Sequence, residues 1–253
     1  MDKRSIRNPP RFFVAEGLAP GARIELPDRV ARHVAVLRLI QGDAIKLFCG
    51  DGNEFDATLL DVSKRGVTAQ ITGQSAPERE SRLRIVLAQC LSSNDRMDLT
   101  LQKATELGIS EIQPLESERS VVRLSSERMD KRLEHWRNVV ISACEQCGRN
   151  IVPPVRAVTG LHTWLANLNL DPDSASGARL LLSPKGESGL RELPRLESVL
   201  LLVGAEGGLA NHEDLAARKA GFKPVRLGPR VLRTETAPLA AISAIQTLWG
   251  DLG

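Results

Sequence analysis

Tyrosine is absent from this 253-residue chain, and aromatic residues make up only 3% of it, three Trp and five Phe. That scarcity argues against a binding surface built by stacking single-stranded nucleic acid on rings. Cysteine is also sparse: four residues, without the paired spacing of a disulfide framework, which points to a reduced, cytoplasmic protein. No apolar run has the length of a membrane span, and the opening MDKRSIRNPP lacks the apolar core of a secretory leader. There is no G-x-G-x-x-G dinucleotide fingerprint, no Walker A sequence and no nucleophile elbow. The four histidines (33, 135, 162, 212) have no ligand spacing, so no metal is expected. Cys144-Glu-Gln-Cys147 resembles a redox or metal pair. It falls inside a helical pattern, however, with Cys147 on the apolar stripe, which reads as structural cysteine.

What is abundant is arginine. The 34 basic residues are 26 Arg and 8 Lys, for a net charge of only +3. Codon bias can raise Arg, yet its planar fork also suits phosphate and base-edge recognition. The distribution is more telling. Residues 1–38 carry eight basic groups against four acids, so the positive patch is local. Residues 11–72 read as five short strands (RFFVA, ARIEL, AIKLF, EFDATLLDV, GVTAQIT) with a short helix in DRVARHVAVLR and a hairpin signal at Cys49–Asn53. A small β-barrel over residues 1–72 is expected, a shape that either grips RNA or props up its neighbour. The polar stretch 73–81 has no apolar period and is expected to be a linker.

From residue 82 to 253 strands and helices alternate, implying a mostly parallel sheet with helices on both faces. LRIVLAQ is a strand of the doubly covered kind. SSNDRMDLTLQKATELG reads as a helix closed by Gly108, and SSERMDKRLEHWRNVVISACEQCG as a long one with Met129, Leu133, Trp136, Val140, Ala143 and Cys147 on its apolar stripe. Asn211 and Thr236 are expected to cap the last two helices. Three strands run into turns bearing glycine: residues 179–183 into Pro184-Lys185-Gly186-Glu187, Val199–Val203 into Gly204, Gly207 and Gly208, and Val225–Leu227 into Gly228 and Pro229. Ligands of such sheets sit beyond the strand C-termini, where glycines let backbone amides approach closely.

Taken in order, RFFV, HVAVLR, NDRMDLTLQKATELGISEIQPLESERSV, ACEQCGR, LLVGAEGG and above all RLGPRVLRTETA resemble the SPOUT-class RsmE group, the 16S ribosomal RNA uracil-N3 methyltransferases. Cys147 stands where that family is expected to have a small residue such as Ser. The resemblance implies a PUA-like β-barrel followed by a SPOUT-type α/β fold with a deep trefoil knot, an exception to the rule against knots. It also implies S-adenosylmethionine as cofactor, 16S rRNA of the small ribosomal subunit as substrate, and a homodimer through the knot domain. Carried over residue by residue, it places the cofactor on Leu182, Ser183, Pro184, Gly186, Leu202, Val203, Gly204, Glu206, Gly207, Gly208, Leu227, Gly228, Val231, Leu232 and Thr234. Catalytic candidates are Arg233 and Arg11, which would stabilise the uracil anion, and Glu206 or Glu235, which would take its proton. RNA-binding candidates are Arg4, Arg7, Arg11, Arg23, Arg32, His33, Arg38 and Arg149. Two other readings stand beside this one: a related fold acting on another RNA, such as a tRNA ribose, or an RNA-binding assembly factor without turnover.

Overall fold

The computed structural model describes residues 8–120, 126–168 and 177–253. They divide into two compact units. One comprises the chain up to Glu80 together with Cys144–Val152, and the other Ser81–Ala143 with Pro153–Gly253.

The first unit is a five-stranded sheet of β1 (Arg11–Phe13), β2 (Arg23–Glu25), β3 (Ala44–Phe48), β4 (Glu54–Ser63) and β5 (Gly66–Ser75), with helix α1 (Asp28–Val36). The order is β1-β3-β4-β5-β2, with β1 parallel to β3 and the other pairs antiparallel. Period-two alternation buries Phe55, Ala57 and Leu59 of β4 against Val67, Ala69 and Ile71 of β5. Helix α1 adds Val30 and Val34, one turn apart, to the same core. All five strands and the helix expected from the sequence are present. Strand β5 runs on to Ser75, so the sheet extends into the stretch expected as linker.

The unit is closed by one buried carboxylate. Glu54 is 3% exposed and receives Arg11, Lys46 (2.7 Å) and Arg79 (3.0 Å). Arg11 also donates to the Arg149 carbonyl (3.2 Å) and the Asn150 side chain, and lies 5.1 Å over the Phe48 ring. Glu145 accepts from the Phe13 amide (3.0 Å) and from Arg29 (2.8 Å), and Arg149 pairs with Glu80. Residues 144–152 thereby become part of a unit otherwise built from the first 80 residues.

The second unit is a seven-stranded parallel sheet in the order β10-β12-β9-β11-β6-β7-β8. Its strands are β6 (Arg84–Cys90), β7 (Glu111–Glu116), β8 (Thr159–Gly160), β9 (Ala178–Leu182), β10 (Ser188–Gly189), β11 (Ser198–Val203) and β12 (Lys223–Arg226). The helices are α2 (Asn94–Glu106), α3 (Ser126–Cys147), α4 (Leu161–Asn167), α5 (Asn211–Lys219) and α6 (Thr236–Trp249). Central strands β6 and β11 are buried along nearly their whole length, as expected of strands covered on both faces. Val86, Ala88, Leu200 and Leu202 share a core with Leu161 and Leu165 of α4 and with Ala217 and Phe222 at α5. On α3, Trp136, Val140 and Ala143 are buried as expected, whereas the fully buried cysteine is Cys144 and Cys147 is only half-buried.

Two expected caps are replaced. Asn211 is the first residue of α5 rather than its cap, and Glu213 reaches back to the Ala210 amide at 2.9 Å. Thr236 likewise lies inside α6, where the Arg233 carbonyl accepts from the Thr236 and Ala237 amides, both at 2.9 Å. A carboxylate and a bent-back carbonyl satisfy the free first-turn donors in place of a short polar side chain.

Glu54→Ala should destabilise the protein by about 3–5 kcal/mol in denaturant unfolding, because it strands the largely buried Arg11. Glu127→Ala, which removes the exposed Lys131 pair, should cost no more than about 1 kcal/mol. Equal effects would show that the buried carboxylate is not the tie described.

Candidate functional site

Beyond the C-terminal ends of β9, β11 and β12, three turns meet. In the first, the Gly186 amide donates to the Ser183 carbonyl (3.0 Å) and the Ser183 amide to Val225 of β12 (3.0 Å). A Cβ on Gly186 would lie 2.6 Å from the Val225 carbonyl carbon, so the turn can press on β12 only with glycine there. In the second, the Gly208 amide donates to Ala205 (2.8 Å), and a Cβ on Gly204 would meet the Gly208 backbone at 3.0 Å. The third runs from Leu227 to Thr234, where the Thr234 hydroxyl donates to the Gly204 carbonyl at 2.9 Å and so pins this turn to the second. Behind them Gln89 of β6, 1% exposed, brings its amide nitrogen to 3.0 Å from the Cys90 carbonyl.

The turns enclose an open cavity of about 1080 Å³. Leu182, Val203, Leu227, Val231 and Leu232 supply apolar wall, and Ser183, Pro184, Gly204, Gly207, Gly208, Gly228 and Thr234 supply backbone and a hydroxyl. Two expected cofactor positions do not line it. Leu202 is wholly buried in the sheet core, and Gly186 lies beneath the first turn, where its lack of a side chain permits packing.

Of the expected catalytic residues, Glu206 and Arg233 line the cavity. Glu206 accepts from the Ser93 amide (3.0 Å) and from Arg96 (3.1 Å), and its second oxygen is buried without a hydrogen-bond partner among the described residues. Burial pushes its carboxyl up, but the Ser93 amide, its own amide and Arg96 outweigh that and hold it below the ordinary value. Glu235 does not line the cavity; it stands 3.6 Å from Arg96, which bridges the two carboxylates. Arg11 is occupied inside the first unit by Glu54, Asn150 and Phe48.

The RNA-binding candidates divide similarly. Arg23, Arg32, His33 and Arg38 are exposed on the first unit, with His33 edge-on to Phe12 at 5.3 Å. Arg11 and Arg149 are largely buried and ion-paired. Arg4 and Arg7 lie outside the described residues. All four cysteines are free, and burial pushes the Cys90 and Cys144 thiols up to about 12, which makes them unreactive near neutrality. No group that could hold a metal occurs among the described residues. Sequence reasoning missed Arg96, Arg119, Lys185 and Arg230, which also line the cavity. All four lay within stretches already singled out: Arg96 and Arg119 in NDRMDLTLQKATELGISEIQPLESERSV, Lys185 in the first turn and Arg230 in RLGPRVLRTETA.

Two family models match: an RNA methyltransferase PUA domain over residues 26–72 and an RNA methyltransferase domain over residues 79–246. The crystal structure of a ribosomal RNA small subunit methyltransferase E from Neisseria gonorrhoeae, bound to S-adenosyl methionine, is 44% identical. It covers 97% of this chain and 100% of its own, with a TM-score of 0.88. A Legionella pneumophila structure in complex with bound SAM is 38% identical over 97% of this chain and 100% of its own, with a TM-score of 0.92. The ribosomal RNA small subunit methyltransferase E of Bacillus subtilis is 34% identical over 86% of this chain and 87% of its own. On these matches the chain belongs to the family of the ribosomal RNA small subunit methyltransferases E.

Proposed function

We propose that the chain methylates N3 of a uridine in 16S ribosomal RNA, with S-adenosylmethionine as donor. On this reading it acts as a cytoplasmic homodimer whose C-terminal turns are threaded as a deep trefoil knot. One observation carries the reading: three strand-end turns, the second and third pinned by the Thr234 hydroxyl on the Gly204 carbonyl and the first tied to β12 through Ser183, line one half-apolar cavity. The residues fit the donor. Glycine at 204 leaves the bare backbone that an adenine edge needs, and Leu182, Leu227 and Leu232 offer apolar faces to its ring. At about 1080 Å³ the space exceeds the upper end of ordinary small-ligand pockets, roughly 1,000 Å³.

Bound there, S-adenosylmethionine supplies an electrophilic methyl group. The chain's own residues must do the rest. Uracil N3 carries a proton and is a poor nucleophile until it loses it. Arg233, an exposed cation on the cavity wall, is placed to stabilise the anion through a carbonyl oxygen. Glu206 is the carboxylate that lines the cavity and keeps an unpartnered oxygen to accept the proton. Arg96 places a cation between Glu206, at 3.1 Å, and Glu235, at 3.6 Å, and so holds the Glu206 carboxylate in position. N3 lies on the pairing edge of the base, so the target is unpaired during reaction. The exposed Arg23, Arg32, His33 and Arg38 hold the RNA backbone on the first unit.

Small-subunit RNA from a strain lacking the gene should lose one uridine methyl group by mass spectrometry and regain it on complementation; an unchanged mass would refute the proposal. Arg233→Ala should lower turnover by about 10²–10³-fold, with the dissociation constant for S-adenosylmethionine nearly unchanged; normal turnover would remove Arg233 from the mechanism. The depressed acidity of Glu206 sets a sign for pH. Its folded value lies below the ordinary 4.5, so its stabilising contribution is fully present above 4.5 and is lost as pH falls through the lower value. The melting-temperature gap between wild type and Glu206→Gln should therefore close on acidification, and a gap that widens would contradict the assigned contacts.

A further inference from the structure

The charged residues lining the cavity are six cations, Arg96, Arg119, Lys185, Arg218, Arg230 and Arg233, against two carboxylates, Glu206 and Asp214. That local excess is larger than the +3 of the whole chain. Both carboxylates are already matched, Glu206 by Arg96 at 3.1 Å and Asp214 by Arg218 at 2.6 Å. The other four cations, Arg119, Lys185, Arg230 and Arg233, are exposed, and none is within ion-pair distance of a carboxylate among the described residues. S-adenosylmethionine does not account for them. It has two cationic groups and a single carboxylate, so it cannot match four further cations.

Arg119 shows that this surplus is built in. It follows β7, and its guanidinium donates to the Gly207 carbonyl at 2.8 Å. A Cβ on Gly207 would come within 3.2 Å of the Arg119 side chain, so the arginine packs closely across the bare backbone of the second turn. A guanidinium held in this way still has donors free and a charge that no carboxylate offsets. Lys185 comes from the first turn and Arg230 from the third, so each of the three strand-end turns holds or carries one cation of the set. Exposed cations contributed from three sides of one cavity fit a flexible polyanion whose charges flank the group entering it.

We propose that Arg119, Lys185 and Arg230 form a phosphate-binding rim that grips the RNA backbone on either side of the target nucleotide, separately from the basic residues of the first unit. This rests on the reading of the chain as an RNA methyltransferase. Arg233, whose charge adds to the rim, is reserved for the base. Phosphodiesters of single-stranded RNA are the ligand, and free phosphate groups of the same chemistry are the alternative to be separated.

The test uses the full chain with Lys185→Gln and Arg230→Gln combined, both at exposed positions outside the assigned cofactor and catalytic residues. A labelled single-stranded, uridine-containing oligoribonucleotide is titrated between about 50 and 200 mM salt, a range over which phosphate contacts report strongly. Each phosphate contact on a single strand contributes about 0.7 to the slope of log affinity against log salt. The double variant should therefore lose about 1.4 from that slope, with S-adenosylmethionine affinity and melting temperature unchanged. Arg119→Gln should add a further decrease. An unchanged RNA slope, with cofactor binding intact, would overturn the rim. So would a parallel fall in S-adenosylmethionine affinity, which would assign the cations to the cofactor. If inorganic tripolyphosphate binding is lost in the variant while RNA binding is kept, the rim is a free-phosphate site and the proposal fails. Failure of the wild type to bind S-adenosylmethionine would instead strike the proposed function, so the two failures are distinguishable.

Discussion

The site depends on how closely two backbones come together at Gly204. A side chain there would meet the Gly208 backbone at 3.0 Å, and the carbonyl of the same residue receives the Thr234 hydroxyl. A side chain at position 204 would therefore push the Gly208 backbone outward by a few tenths of an ångström, away from the fold-back that meets the third turn. Gly186 applies the same constraint to the first turn, against Val225 and Arg226. The parallel register of β12, β9 and β11 brings these turns to one edge. The glycines then decide that they close on each other rather than spread.

Two electrostatic arrangements of opposite sign serve different ends. In the first unit a single buried carboxylate, Glu54, gathers three cations, and removal of water makes each contact matter. At the cavity a single arginine, Arg96, lies between two carboxylates, Glu206 and Glu235, and leaves an oxygen of Glu206 unsatisfied. The first is a saturated tie suited to stability. The second is under-satisfied, as groups awaiting a ligand are. Around it, cations outnumber acids because the partner proposed for the site brings its own negative charge.

Much of this was legible in the sequence because it is written in local pattern. The strands of the first unit follow alternation, and β6 and β11 follow unbroken apolar runs. Glycines after β9, β11 and β12 marked the turns, and most of the expected cofactor positions do face the cavity. What was missed is long-range. Nothing local says that Arg11 and Arg149, read as RNA contacts, would be consumed by Glu54 and Glu80, which lie 43 and 69 positions away in the chain. Nor does any spacing show that Arg119 lies across Gly207, since β7 and β11 become neighbours of β6 only in the folded sheet. The caps failed for a related reason. Short polar residues at helix starts are the usual signal, yet here Glu213 and the Arg233 carbonyl took the role.

The assignment of Cys144–Val152 to the first unit bears on how the chain is made. A protein emerging from the ribosome generally folds domain by domain from its N-terminus. Here the strands of the first unit and its Lys46 and Arg79 are available once Glu80 has appeared, but Asn150 and the Arg149 carbonyl, which complete the shell of Arg11, arrive only after most of α3. During that interval the nascent sheet holds an arginine that has Glu54 but lacks its other two acceptors. Its completion thus waits on a portion of the second unit having been synthesised. The two units are separate as packed bodies, yet they are interleaved in the order of their translation.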